Sequence, residues 1–200
     1  MKKPFIIGLT GGIGMGKSTA AKILSGLGLP IYNADKAVHD LLCKGGKGVK
    51  PVAKLFPEAL KRGAIDRTII GQSIFHNPAK LKQLEKILHP MIHKVEKNFI
   101  AQVQKHKIPA AVLEIPLLFE TKGEKRCDIV ICVTAPRPIQ KMRVMERKNM
   151  TEARFKAILK LQMPDAQKRK MADYVVHTGK GYVDTKKQLR GIIDRLKLLE

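Results

Sequence analysis

GLTGGIGMGKST, Gly8 to Thr19, places five glycines in nine positions and then adds a lysine and two hydroxyls. Glycine loses more backbone entropy on ordering than any other residue, so this density needs a reason. One reason is a flexible turn between a strand and a helix. The other is a cradle in which missing Cβ atoms let backbone N–H groups close on an anion. Spacing decides between them. Gly11, four residues, then Gly16-Lys17-Ser18 fits the phosphate-loop (P-loop) pattern G-x-x-x-x-G-K-[ST].

The flanks agree. Phe5-Ile6-Ile7-Gly8-Leu9 reads as a buried strand leading in, and Ala20, Ala21, Ile23, Leu24 and Leu27 recur at helical spacing beyond. Strand, loop and helix predict a nucleoside-triphosphate site made of Gly11, Gly12, Ile13, Gly14, Met15, Gly16, Lys17, Ser18 and Thr19. N–H groups around Gly12 to Gly16 are expected to wrap the β-phosphate. Lys17 reaches the β- and γ-phosphates, and Ser18 ligates Mg²⁺.

At 200 residues the chain is long enough for one domain, or one core with insertions. Its hydrophobic content of 44%, with 4% aromatic and no Trp, points to an aliphatic α/β core. The start, Met1-Lys2-Lys3-Pro4, precedes too few apolar residues for a signal peptide, and no run is long enough to span a bilayer. Cys43, Cys127 and Cys132 lack paired C-x-x-C spacing, which suits a reducing cytoplasm. Net charge is +22, from 39 basic and 17 acidic residues. Nucleic acid, a polyanionic small substrate and a merely basic surface all accommodate that charge. It is spread along the chain without a basic tail, and stacking residues are scarce, so neither a specific nucleic acid nor a membrane is expected as partner.

Five strand-like segments, Phe5–Leu9, Pro30–Asn33, Ala110–Ile115, Asp128–Val133 and Asp173–His177, alternate with helical stretches. They predict a parallel sheet with crossover helices. The second gap is too long for one crossover. It carries helical patterns around Lys36–Cys43, Asp66–Phe75, Pro78–Leu88 and His89–Gln104, read as a helical insertion that binds the substrate. After the fourth strand, Pro138 suits a first helical turn and Thr151 an N-cap. From Arg137 to Lys160 eight basic residues face two acidic ones, a net +6. This basic helical hairpin is read as a lid, with a solvated charged surface as the alternative.

Several residues are candidates for chemistry. Asp35 follows the second strand, where ligands bind in open α/β sheets. It could accept a hydroxyl proton, hold Mg²⁺, or simply cap a helix beginning at Lys36. Glu114, at the end of the third strand, is a further acid for Mg²⁺ or a buried partner for a lysine. His89 and His93 are four apart, but Pro90 lies between them and no third ligand is spaced for zinc. Arg143 and Arg147, i and i+4, share a face that could close on the γ-phosphate, although Glu146 offers a surface pair.

LTGGIGMGKST, IYNADKAVHDLL, LHPMIHKVE, EIPLLFE, MRVMERKNMTEARFKAILKLQMP and ADYVVHTG occur in this order across nearly the whole chain. Together they resemble the dephospho-CoA kinase family. The resemblance implies an α/β, three-layer P-loop kinase fold, a five-stranded parallel sheet with helical insertion and lid. It divides the chain into a nucleotide core (1–35, 108–136, 166–200), an acceptor-binding insertion (36–107) and a lid (137–165). It implies transfer of the ATP γ-phosphate to the ribose 3′-hydroxyl of dephospho-CoA with Mg²⁺, in a monomer or small homo-oligomer. Asp35, Lys17 and Arg143 are the catalytic set by the same resemblance. Asp35, His89, Pro90, Leu117 and Arg147 are the acceptor-binding set, and Ser18, with Asp35 or Glu114, is the metal set. The chain departs from the family's usual Asp-Ala-Asp at Asn33-Ala34-Asp35, and from its usual Asn before the last glycine at His177-Thr178-Gly179. Another small-molecule kinase and a basic nucleic-acid-binding ATPase are the rival readings. The N-K-x-D and D-x-x-G motifs of a GTPase are absent from the sequence.

Overall fold

The computed structural model describes residues 3–75 and 77–198. Residues 1, 2, 199 and 200 of the expected nucleotide core, and 76 of the expected insertion, lie outside the described residues. The chain opens with β1 (Phe5–Thr10), α1 (Lys17–Gly26) and β2 (Ile31–Asn33). Next come α2 (Ala34–Leu42), α3 (Val49–Leu55), two short strands β3 (Leu60–Lys61) and β4 (Ala64–Ile65), α4 (Arg67–Phe75) and α5 (Pro78–Lys105). Then follow β5 (Ala110–Glu114), β6 (Ile129–Thr134), α6 (Arg137–Met145), α7 (Glu152–Leu161), α8 (Asp165–Met171), β7 (Tyr174–His177) and α9 (Tyr182–Arg195).

The sheet has the order β2-β5-β1-β6-β7, with β1 parallel to both β5 and β6, and β6 parallel to β7. AAVLE in β5 is buried throughout, as are all but the first residues of β1 and β6. Such continuous apolar runs are what a parallel sheet covered on both faces requires. On one face Ile7, Leu9, Val112, Ile131 and Val133 form a single core with Ala20, Ile23 and Leu24 of α1 and Leu189 and Ile193 of α9. Strand alternation turns Gly8 to the other face, where a Cβ would come 2.8 Å from Cys127 Sγ and 2.9 Å from Leu118 Cδ2. There α8 packs against β6, giving three layers. All five expected strands are present. Asp128 and Asp173 fall just outside β6 and β7, because their carboxylates accept the N–H groups of Ile6 (2.6 Å) and Val130 (2.7 Å) on the neighbouring strands.

Two compact units are distinguished, Met1–Tyr32 with Gln102–Glu200, and Asn33–Ala101. The second has its own core, built from Leu42, Val52, Phe56, Ala59, Ile65, Ile70, Leu84 and Leu88. Here the helical reading is corrected in one respect. Pro78–Leu88 and His89–Gln104 are one helix, α5, which runs through Pro90. A proline removes one i→i−4 hydrogen bond, but Leu84, Leu88, Ile87 and Ile92 bury one stripe on both sides of it in the same core. That burial offsets the loss. Helix α3 and the β3–β4 hairpin were not anticipated, being too short for periodicity to register.

Candidate active site

The phosphate loop leaves β1 at its C-terminal end, in the centre of the sheet where the strand order reverses, the place where open α/β sheets bind ligands. Gly11 has φ +147°, and a Cβ there would lie 2.5 Å from the Val133 carbonyl oxygen. Gly16 has φ +89° and caps α1, and a Cβ there would meet Thr178 Oγ1 at 2.8 Å. Neither position accepts a side chain. No side chain caps α1, so its first N–H groups and its dipole are left for an anion.

Three side chains from later in the chain hold the loop. The Ile13 N–H donates to Gln162 Oε1 (3.0 Å), while Gln140 Nε2 donates to the Ile13 carbonyl (2.8 Å). Thr178 Oγ1 donates to the Met15 carbonyl (3.0 Å). Thr178 is in turn gripped by Arg143, whose two terminal nitrogens donate to its Oγ1 (2.9 Å) and its carbonyl (2.8 Å). The alternative of an Arg143–Glu146 surface pair therefore gives way to a fork closed on Thr178. Sequence reading missed Gln140, Gln162 and Thr178. Their signal was faint: one buried amide on an amphipathic helix, and hydroxyl and amide groups in motifs quoted only for resemblance.

Lys17 is half-buried and donates to the carbonyls of Gly11 (2.7 Å) and Gly12 (3.0 Å). Ser18 and Thr19 are exposed at the start of α1. Glu114 ends β5 in register with Leu9, almost fully buried. Leu117 is 40% exposed. Close by, the Lys168 ammonium, fully buried, donates to the Pro116 carbonyl (2.9 Å) and pairs with Glu120 (2.8 Å). Glu120 also accepts the Met163 N–H, tying the segment after α7 to the segment after β5. Helix α6 stops at Met145, so Arg147 lies in the turn beyond it, exposed, and the shared-face argument for Arg143 and Arg147 does not hold.

The remaining candidates belong to the second unit. Asp35 is exposed in the first turn of α2, but it is not the cap. Asn33 is, its Oδ1 accepting the Lys36 N–H at 2.7 Å. The capping explanation of Asp35 is thereby overturned. His89 and Pro90 are exposed on α5, and the rings of His89 and His93 meet edge to face, centroids 6.5 Å apart. Near the loop strand, Cys132 on β6 lies beside Thr10 in register. Burial, and after it the Asp165 charge, pushes its thiol up to about 11.

A central parallel sheet, a glycine loop opening onto a helix N-terminus and a lysine folded against that loop define a P-loop kinase of small molecules. The family model for dephospho-CoA kinase (CoaE) matches residues 5–184, and the chain belongs to that family. It is 50% identical over 164 residues, 82% of its length and 77% of the relative's, to a dephospho-CoA kinase of Paramagnetospirillum magneticum. The crystal structure of TT1252 from Thermus thermophilus superposes with a TM-score of 0.85 at 33% identity, covering 98% of this chain and 99% of that one. The dephospho-CoA kinase from Campylobacter jejuni gives 0.62 at 25% identity over 98% of each chain.

Proposed function

We propose that this chain transfers the γ-phosphate of ATP to the ribose 3′-hydroxyl of dephospho-CoA, yielding coenzyme A and ADP, the last step of coenzyme A synthesis. The observation that carries the reading is the glycine loop between β1 and α1 with Lys17 folded onto it, in a chain whose family membership spans both compact units. The bond from the acceptor oxygen to the γ-phosphorus forms as the bond to the β–γ bridging oxygen breaks, and ADP leaves with that electron pair. Asp35 takes the hydroxyl proton. Lys17 exchanges two loop carbonyls for phosphate oxygens, and Arg143 adds charge at the transferring group. His89, Pro90, Leu117 and Arg147 contribute to the acceptor pocket. Residues 36–107 bind the acceptor, and 137–165 act as the lid.

Among the described residues no group of three or more His, Cys, Asp or Glu could cage a metal ion. The exposed Ser18 hydroxyl on α1 instead fits Mg²⁺, which is held by few protein oxygens and mainly by phosphates and water. Ser18 would hold it, with Asp35 or Glu114 as the carboxylate. When bound, the ion supplies charge neutralisation at the β- and γ-phosphate oxygens. In the same reading the enzyme works in the cytoplasm as a monomer or small homo-oligomer, with neither nucleic acid nor membrane as partner. No helix among the described residues is long and apolar enough to cross a membrane, and Cys43, Cys127 and Cys132 form no disulfide with one another.

Coupled measurement of ADP release with dephospho-CoA, AMP or DNA added tests the proposal. Release should depend on dephospho-CoA. Dependence on AMP or DNA instead would overturn it.

A further inference from the structure

We propose that Gln140 and Gln162 are positioning residues that set the phosphate loop, and through it the γ-phosphate, by gripping both backbone groups of one residue, Ile13. Gln162 Oε1 accepts the Ile13 N–H at 3.0 Å, and Gln140 Nε2 donates to the Ile13 carbonyl at 2.8 Å. The two amides converge on the same spot. A Cβ built on Gly12 would find Gln162 Oε1 at 3.5 Å and Gln140 Nε2 at 3.7 Å. They arrive from different helices, Gln140 from within α6 and Gln162 from the C-cap of α7.

The grip has a chemical cost that argues for purpose. Gln140 is only 4% exposed, and a buried amide is tolerated where its hydrogen bonds are made. An apolar side chain would pack there without that condition. Ile13 stands between Gly12 and Gly14, and the loop's own bonds are few, Met15 N–H to the Gly12 carbonyl being a long 3.3 Å. Lys17 holds the Gly11 and Gly12 carbonyls on one side, but at Ile13 both the N–H and the carbonyl are taken by the two amides. A displacement of about 1 Å at a reacting centre costs on the order of 10²-fold in rate. Because the clamps sit on α6 and α7, any shift of either helix is also transmitted to the loop.

The inference rests on the kinase reading, so its test has an arm independent of turnover. Gln140→Met and Gln162→Met keep length and remove the polar groups. In the nucleotide-free protein, hydrogen exchange at the Ile13 amide should speed up about 10-fold or more in Gln162→Met, with Tm close to wild type. In steady state each variant should lose about 10-fold or more in kcat, while KM for ATP changes less than about 3-fold. The double variant should be no more than about 2-fold worse than the worse single, since both act through one residue. Unchanged Ile13 exchange in folded Gln162→Met, or kcat within 2-fold of wild type in either variant, overturns the positioning role. If wild type itself forms no ADP with dephospho-CoA, the kinase reading fails, and the exchange result still decides whether the clamp exists. Should Gln140→Met not fold, Gln162→Met carries both arms, its side chain being only part-buried at a helix end.

Discussion

Asn33 and Asp35 stand two residues apart, and the proposal gives them separate roles. The Asn33 side chain caps α2, so Asn33→Ala should cost about 0.5–2 kcal/mol of stability with kcat nearly unchanged. Asp35 bears no capping bond, and Asp35→Asn should lower kcat by roughly 10²-fold or more with dephospho-CoA binding little altered. Calorimetric binding and unfolding of the two variants separate the roles; a kcat for Asp35→Asn within a few-fold of wild type would leave the base unassigned. Lys17→Ala should abolish turnover, because the ammonium that would reach the phosphates is lost, and keep the fold, because the side chain is half-buried at the loop and not part of the core. At Cys132 the sign of the pH effect follows from burial. The native thiol holds its proton up to about pH 11, whereas the unfolded one releases it from about 9. The contribution is intact below pH 9 and lost as pH rises through that window. Urea unfolding at pH 8 and pH 10 should show a larger alkaline loss in wild type than in Cys132→Ala; equal losses would refute this.

Among the elements, α6 carries the sharpest claim. Its Arg143 is bidentate to Thr178, and Thr178 holds the Met15 carbonyl of the loop. Arg143→Ala should therefore lower kcat more than it raises KM for ATP. Glu146→Ala, at the helix end, should change neither measurably. Equal small effects in steady-state kinetics of the two would remove Arg143 from the reaction. Helix boundaries were legible where a local signal marks them, as at Thr151, whose side chain accepts the Arg154 N–H. They were misread where packing overrules the local rule. Pro90 reads as a break, and α5 continues because both of its halves bury the same stripe.

For the molecule as a whole, a net +22 favours expansion through self-repulsion. Screening shortens from about 30 Å in 0.01 M salt to about 8 Å at 0.15 M. Tm should rise over that range, by about 2–4 °C for each 1 kcal/mol of repulsion relieved in a chain of this size. Thermal scans in NaCl and in a non-binding salt check it, and a flat Tm would mean that self-repulsion does not limit the stability of this chain.

The strand, glycine loop and helix were legible from the sequence alone, because each is specified by neighbours within a few residues. The five-stranded sheet followed, since continuous apolar runs separated by helices admit few other arrangements. What holds the loop was decided only by the tertiary structure. Gln140, Gln162 and Thr178 reach it from 127, 149 and 163 residues away. A hydrogen bond needs its groups within about 3 Å in space, and no local pattern along the chain records which distant amide the fold will bring there.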